Sequence, residues 1–228
     1  MTHSRPQAAR SLDLALDLAA ALLAHMGLDR YPVVKMSKGR WVKRTGERLD
    51  ALPYIVRGRL DAVLQLGEEG MQVIPVTFGP GEIALLSALF SGEPIHGEFL
   101  ASEDLQIRWL PIHDLESLLQ LEPGLLLLLV KFLSQRLREV RARERGWLER
   151  GVHERVCAGL ARVALEVMPC TSDQPWTVRI THERLALRCG VSRPKLSLTL
   201  KQLESAGAIR LSRGRVELLD YAALTARR

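Results

Sequence analysis

Hydroxyl and cationic side chains cluster near the C-terminus, in the stretch THERLALRCGVSRPKLSLTLKQLESAGAIR, residues 181–210. Thr181 and Ser192 each precede a short helical pattern, and side chains of this type cap helix N-termini by accepting a backbone N–H bond. Gly190 separates the two patterns and permits the left-handed backbone that ends a helix. Pro194 fits a first helical turn, where no helical N–H is required. The stretch predicts two short helices joined by a tight turn.

The second helix carries the side chains suited to nucleic acid. Leu196, Leu200 and Leu203 share one face, which we expect to be buried. A short helix that begins with Arg and Lys and lies across another short helix has the helix-turn-helix geometry that enters the DNA major groove. Arginine pairs bidentately with guanine or clamps a phosphate, whereas a lysine point charge suits phosphates. The predicted DNA-binding residues are Thr181, Ser192, Arg193, Lys195, Ser197, Leu198, Lys201 and Arg213.

A β-hairpin should follow the second helix. The run AIRLSRGRVELLD alternates around Ser212-Arg213-Gly214, which is typical of a hairpin turn. We therefore predict a two-stranded wing with its arginines near the DNA backbone. Two ordinary packing helices with solvated charges are the alternative. The ordered succession of cap, glycine, second cap and wing favours DNA binding.

The region before these helices has a different character. Residues 33–112 contain short β-prone runs separated by glycine-containing turns, which predicts a small antiparallel barrel or sandwich. The segment SLDLALDLAAALLAHMGL precedes it and is predicted to be an amphipathic helix. The predicted fold class is therefore α+β.

A long helical pattern begins at Pro123. Apolar residues recur there at alternating steps of three and four, broken only by Glu144. This seam comprises Leu126, Val130, Leu133, Leu137, Val140 and Trp147. It could pack on its own domain or against a second copy of the chain. We favour a homodimer, because a helix of about 25 residues is longer than a small barrel needs as cover.

Composition narrows the class of protein. A net charge of +6 over 228 residues suits an anionic partner. Three cysteines without metal-like spacing argue against a disulfide framework and a metal site, and they fit a reducing cytoplasm. No uncharged apolar run reaches 18 residues, so no membrane span is expected. Catalysis is not expected either, since the His-Glu pairs at His153 and His182 lack the second histidine of a zinc-protease helix.

The stretch ITHERLALRCGVSRPKLSLTLKQLESAGAI resembles, nearly position for position, the DNA-binding motif of the cyclic-AMP receptor and fumarate–nitrate-reduction regulator (Crp/Fnr) family of bacterial transcription factors. The resemblance implies three parts: a cyclic-nucleotide-binding-like β jelly roll over residues 1–122, a dimerisation helix over 123–150 and a winged helix-turn-helix over 151–228. It also implies a homodimer on a two-fold symmetric operator in double-stranded DNA, with RNA polymerase as a further partner.

Departures from the family pattern bear on the effector. Family members that bind cyclic AMP hold its sugar and phosphate with a Gly-Glu pair and a later Arg-Ser or Arg-Thr pair. Alignment on Leu89-Phe90 places Leu85, Leu86, Ile95 and His96 at these positions. Burying a phosphate without a cation costs several kcal/mol. Cyclic AMP is therefore not expected, and the four residues form only a candidate effector pocket.

Two other cofactors of the family, an iron–sulfur cluster and haem, require cysteine or histidine ligands. Its oxygen sensors hold an iron–sulfur cluster with several N-terminal cysteines, whereas this chain has no cysteine before Cys157. An iron–sulfur cluster is therefore not expected. Haem stays open as an alternative, since His25, His96 and His113 lie in the predicted effector region, although a lone histidine is more often an ordinary surface residue.

The base-reading positions also differ from the best-known family members. These often carry Arg, Glu and a later Arg in the second helix. Here Arg193 matches the first, while Pro194 and Leu198 replace the others. We expect a different operator, in which an outward Leu198 suits a thymine methyl group. The alternative function is an effector-binding protein whose winged helix binds another protein instead of DNA.

Overall fold

A computed structural model describes residues 7–66, 71–149, 151–167 and 176–225, with the side chains of residues 7–10, 66, 147–149 and 167 left out. The chain divides into two compact units. The first comprises Met1–Gln65 with Pro75–Glu139, and the second comprises Leu66–Ile74 with Val140–Arg228. The predicted boundaries at residues 122/123 and 150/151 stay a prediction.

The first unit begins with helix α1, Gln7–Met26. Its buried residues recur at steps of three and four, which places them on one face: Ala15, Leu18, Ala19, Leu22 and Met26. They pack into the core of the first unit. The predicted amphipathic helix is confirmed.

Among the described residues, seven strands precede the long helix. They are β1 Val33–Met36, β2 Trp41–Lys43, β3 Ala51–Arg57, β4 Leu60–Leu66, β5 Met71–Phe78, β6 Glu98–Ala101 and β7 Leu105–Pro111. The strands form two sheets, with orders β1-β7-β3 and β2-β6-β4-β5. Across the antiparallel β3–β7 pair, Leu52 lies opposite Leu110 and Ile55 opposite Ile107, and all four are buried. This is the predicted jelly-roll type of β domain.

Two helices follow the strands. Helix α2 spans Ile112–Leu121 and helix α3 spans Pro123–Glu149. The start of α3 agrees with the sequence, whereas α2 was not predicted. Glu122 between them has a non-helical backbone, with φ −123° and ψ 83°. A residue before proline disfavours the helical conformation, so the chain bends at this point.

The second unit contains helix α4, Val152–Val167, strand β8, Trp176–Arg179, and helices α5, His182–Cys189, and α6, Arg193–Ser205. Strands β9, Ile209–Ser212, and β10, Arg215–Leu218, and helix α7, Tyr221–Thr225, complete it. The predicted hairpin of β9 and β10 is confirmed. It is extended by β8, which pairs antiparallel with β10, so the wing has three strands instead of the predicted two.

Helices α4 and α5 pack closely in this unit. A Cβ atom at Gly159 would lie 2.3 Å from Sγ of Cys189, so only glycine fits there without rearrangement. Cys189 is buried, and desolvation raises its pKa to about 12. The thiol therefore stays neutral, as expected for a small buried apolar residue.

No single helix in the described ranges is long and apolar enough to cross a membrane. The bent pair Ile112–Leu121 and Pro123–Gly146 meets the criterion of length and composition only when both helices are taken together. Both helices bury leucines in the core of the first unit, including Leu115, Leu119 and Leu129.

Candidate nucleic-acid interface

Helix α5 begins and ends where its sequence specifies. The Thr181 hydroxyl oxygen accepts a hydrogen bond from the backbone N–H of Arg184 at 3.2 Å, which confirms the predicted cap. Gly190 has φ 64° and ψ 40°, and its N–H donates to the carbonyls of Ala186 and Leu187. The left-handed glycine therefore ends α5 and turns the chain toward α6.

Helix α6 begins at the predicted place but without the expected capping hydrogen bond. Ser192 occupies the N-cap position with an extended backbone, φ −70° and ψ 150°, yet its side chain makes no capping hydrogen bond. A capping hydroxyl accepts from the second or third helical N–H, and Pro194 is the second helical residue and has none. The exposed Ser192 hydroxyl is thus not used for capping.

Opposite faces of α6 differ in character. Leu196, Leu200 and Leu203 are buried together with Thr199, whose hydroxyl donates to the carbonyl of Lys195 at 2.9 Å. The predicted inner face is confirmed. The exposed residues of α6 are Arg193, Pro194, Lys195, Leu198, Lys201, Gln202, Glu204 and Ser205. In the first turn of α6, which is fully described, no residue is acidic.

Ser197 lies between these two faces. It is half-buried, and its Oγ lies 3.3 Å from Nδ1 of His182 at the start of α5. This contact joins the first residue of α5 to the second turn of α6. The Ser197 hydroxyl therefore helps to fix the angle between α5 and α6, whatever it binds outside the protein. The sequence did not predict this use of His182.

The wing adds cations on a separate element. Arg213 is exposed in the β9–β10 turn, next to Gly214 with φ 68°. Arg215 lies directly opposite Arg179 of β8 in the antiparallel register, and both are exposed. Like charges at opposite positions destabilise a sheet, and an anion bound between them removes that cost. The sequence predicts a strand that contains Arg179 just before α5. Only the pairing of β8 with β10 shows that Arg179 lies opposite Arg215.

Some cations of this region are engaged within the protein. Arg210 of β9 forms an ion pair with Glu217 of β10 at 2.9 Å. Arg188 is buried and paired with Glu166 of α4, and Arg162 donates to the backbone carbonyl of Arg188. Arg188 therefore links α4 to α5 instead of facing a ligand. Its spacing of three from the buried Leu185 was a signal for this position.

Helix α3 has two apolar faces, not one. Leu129 and Phe132 are buried in the core of the first unit, and Arg136 lies over the ring of Phe78 at 5.7 Å from its centroid. The predicted seam lies beside this inner face. Leu133 packs partly against the core and Val140 is half-buried, while the Trp147 side chain lies outside the described residues. Leu126, Val130 and Leu137 are 40%, 51% and 51% exposed, and we call them the outer stripe.

Three of the four residues of the candidate effector pocket are core residues of the first unit. Leu85, Leu86 and Ile95 are buried in the core of the first unit, whereas His96 is exposed. Leu85 adopts φ 66°, a left-handed backbone that costs a leucine about 1 kcal/mol relative to glycine. These buried side chains are apolar and provide neither a charge nor a donor for a cyclic phosphate. They do not fit cyclic AMP.

The three histidines considered as haem ligands lie at the surface. His25, His96 and His113 are all exposed, and Nε2 of His113 lies 3.1 Å from Oδ1 of Asp114. An axial ligand must reach the iron from within a pocket that covers the macrocycle. None of the three is placed in this way.

The described parts of the chain thus combine a two-sheet β domain, a long helix with an exposed apolar stripe and a winged helix-turn-helix. Residues 154–227 match the Crp-like helix-turn-helix domain family. The resemblance noted in the sequence is thereby confirmed for this domain.

Solved structures extend the likeness to most of the chain. FixK2 from Bradyrhizobium japonicum is 16% identical, with a TM-score of 0.73 over 85% of this chain and 95% of that one. The c-di-GMP responsive global regulator CLP from Xanthomonas campestris is 20% identical, with a TM-score of 0.72 over 87% and 98%. A CRP/FNR family transcriptional regulator from Thermus thermophilus is 24% identical, with a TM-score of 0.67 over 85% and 96%. The fold is therefore that of Crp/Fnr regulators. No curated protein matches the chain by sequence.

Proposed function

We propose that the protein is a homodimeric, sequence-specific DNA-binding transcription regulator of the Crp/Fnr type that acts in the cytoplasm. The outer face of α6 is the observation that carries this proposal. It presents Arg193, Lys195 and Lys201 without an acidic neighbour in the first turn, and it lies in a domain of the Crp-like helix-turn-helix family. Such a face suits the negative potential of the major groove.

Each DNA contact follows from the chemistry of the side chain. Arg193 begins α6, so its guanidinium can reach the guanine edge while Lys195 and Lys201 contact phosphates on either side. The Thr181 oxygen already accepts an N–H, which leaves its O–H to donate to a phosphate, and the Ser192 hydroxyl is not used for capping. Arg213 at the wing tip, with Arg179 and Arg215 beside it, would contact a further stretch of backbone.

The outer stripe of α3 supports the homodimer. The exposed apolar side chains of the outer stripe are costly in water, and a second copy of the same stripe would cover them symmetrically. Leu133 and Val140 border this interface in the proposal. Two copies of α6 related by a two-fold axis would then read a two-fold symmetric operator. RNA polymerase is the further partner that a promoter-bound regulator of this type would meet.

We propose that cyclic AMP is not the effector and that no iron–sulfur cluster is held, while haem stays an open alternative. The buried apolar side chains around Leu86 support the first statement, and the lack of a cysteine before Cys157 supports the second. CLP is described as c-di-GMP responsive, so one protein of this fold responds to another nucleotide.

Binding assays on two variants separate base reading from backbone contact. Arg193→Ala should bind operator and random duplexes equally, because alanine cannot pair with guanine. Lys201→Ala should weaken binding to all sequences alike and lower the slope of log K against log salt by about 0.9 for each phosphate that is no longer neutralised. Lys35→Ala removes the same charge from an exposed site in the first unit and serves as the matched control.

Retained selectivity in Arg193→Ala would contradict the assignment of that residue. Binding that does not depend on salt would contradict DNA binding by this surface. The latter result would favour the alternative, in which the winged helix binds another protein.

A further inference from the structure

An exposed leucine occupies the middle of the outer face of α6. Leu198 is 61% exposed, although buried residues flank it in the sequence pattern at Leu196 and Leu200. Pro194 lies one turn before it and Lys201 one turn after it, and both are exposed. Leu198 thus contributes little to the core and presents its methyl groups outward among cations.

The residues around Leu198 indicate which chemical group its side chain contacts. Arg193, Lys195 and Lys201 on the same helix are complementary to phosphates, so the occupant of this face is a polyanion. Leucine offers no hydrogen bond, and most groups on the base edges of the major groove are hydrogen-bonding donors or acceptors. The C5 methyl of thymine is the one apolar group there. A leucine at the centre of the face therefore matches thymine and leaves the donors and acceptors of other bases unpaired.

We propose that Leu198 reads a thymine methyl group in each half-site of the operator, beside the base pair contacted by Arg193. This inference rests on the proposed DNA-binding function and adds a specificity determinant to it. Pro194, one turn away, extends the apolar patch and has no N–H to offer a base. The two residues give the half-site a preference that hydrogen bonding alone would not produce.

Replacing thymine by uracil in the operator tests the contact between Leu198 and the thymine methyl group. Deoxyuridine keeps every hydrogen-bonding group of thymidine and lacks only the methyl group. In the operator selected from a random library, each thymine is replaced in turn, at symmetric positions of both half-sites. At one position the wild-type protein should bind the uracil operator about fourfold more weakly for each half-site, since one buried methyl group contributes about 0.8 kcal/mol. The other positions should show little change.

Leu198→Ala should bind the thymine and uracil operators equally at that position. Leu219→Ala removes a leucine that is also exposed, at 44%, in the same unit and serves as the control that keeps the difference. A thymine preference that persists in Leu198→Ala would overturn the inference, and so would a wild-type protein that binds a selected operator with no uracil-sensitive position. Failure of the wild-type protein to select any operator would instead overturn the proposed function on which the inference rests.

Discussion

Leucine is buried in the candidate effector pocket and exposed on the outer face of α6. In the first unit, Leu86 is 4% exposed and packs into a continuous core. In the second unit, Leu198 projects from a helix whose other outward residues are mostly cationic or polar. The buried side chains of the pocket lack the polar groups that a nucleotide ligand requires, whereas the helix carries charges that its own fold does not need. The difference supports the proposal that the second unit binds DNA, whereas these leucines of the first unit serve packing.

The proposed function predicts that the strength of DNA binding comes from the pairing of two copies and not from a ligand in the candidate effector pocket. Val130→Glu combined with Leu137→Glu should produce monomers and lower operator affinity by about 100-fold or more, because two linked half-site contacts become independent. Both residues are half exposed, so the fold should persist. Analytical ultracentrifugation and anisotropy with the operator measure the two effects.

The control for this experiment lies on the same helix. Lys131→Glu also places a carboxylate on the exposed side of α3, outside the outer stripe, and should leave the dimer intact. A monomeric double variant with undiminished operator affinity would contradict the link between α3 and DNA reading.

One matched pair of substitutions sharpens the contrast between the two leucines. Leu86→Ala should lower the free energy of unfolding of the first unit by about 2–5 kcal/mol, since it leaves a cavity in a packed core. Leu198→Ala should change the free energy of unfolding by less than about 0.5 kcal/mol, because the side chain is exposed. Chemical denaturation followed by circular dichroism measures both.

Under conditions in which both variants are folded, their effects on operator binding should be the reverse of their effects on stability. Leu86→Ala should retain the affinity of the wild-type protein, whereas Leu198→Ala should lose its preference for thymine. A Leu86→Ala protein of unchanged stability would mean that the pocket is not packed as described and has room for a ligand.

How much the sequence predicts depends on how local the specifying interactions are. Thr181 and Gly190 act within one helical turn, so the bounds of α5 were predictable from residue types alone. The three-strand wing was not, because β8 and β10 are separated by two helices and pair through long-range hydrogen bonds. Likewise, the counterion of Arg188 is Glu166 on another helix. Residue type alone does not distinguish this buried arginine from the exposed arginines of the same unit.

Two further differences have equally specific causes. A seam at steps of three and four predicted one apolar face on α3, but the helix buries Leu129 and Phe132 beside the outer stripe. A pattern of apolar spacing does not say which of two adjacent faces the rest of the chain will cover. At Ser192 the cap position was predicted correctly, while the missing N–H of Pro194 removed one of the usual donors for the capping bond.

Selection from a random duplex library, with the purified protein and no added ligand, tests whether the protein binds DNA as proposed. The proposed function predicts enrichment of a two-fold symmetric site, lost as salt rises, and the same site when cyclic AMP is present. Failure to retain any duplex even at low salt would contradict it, because the outer face of α6 would then serve a partner other than DNA.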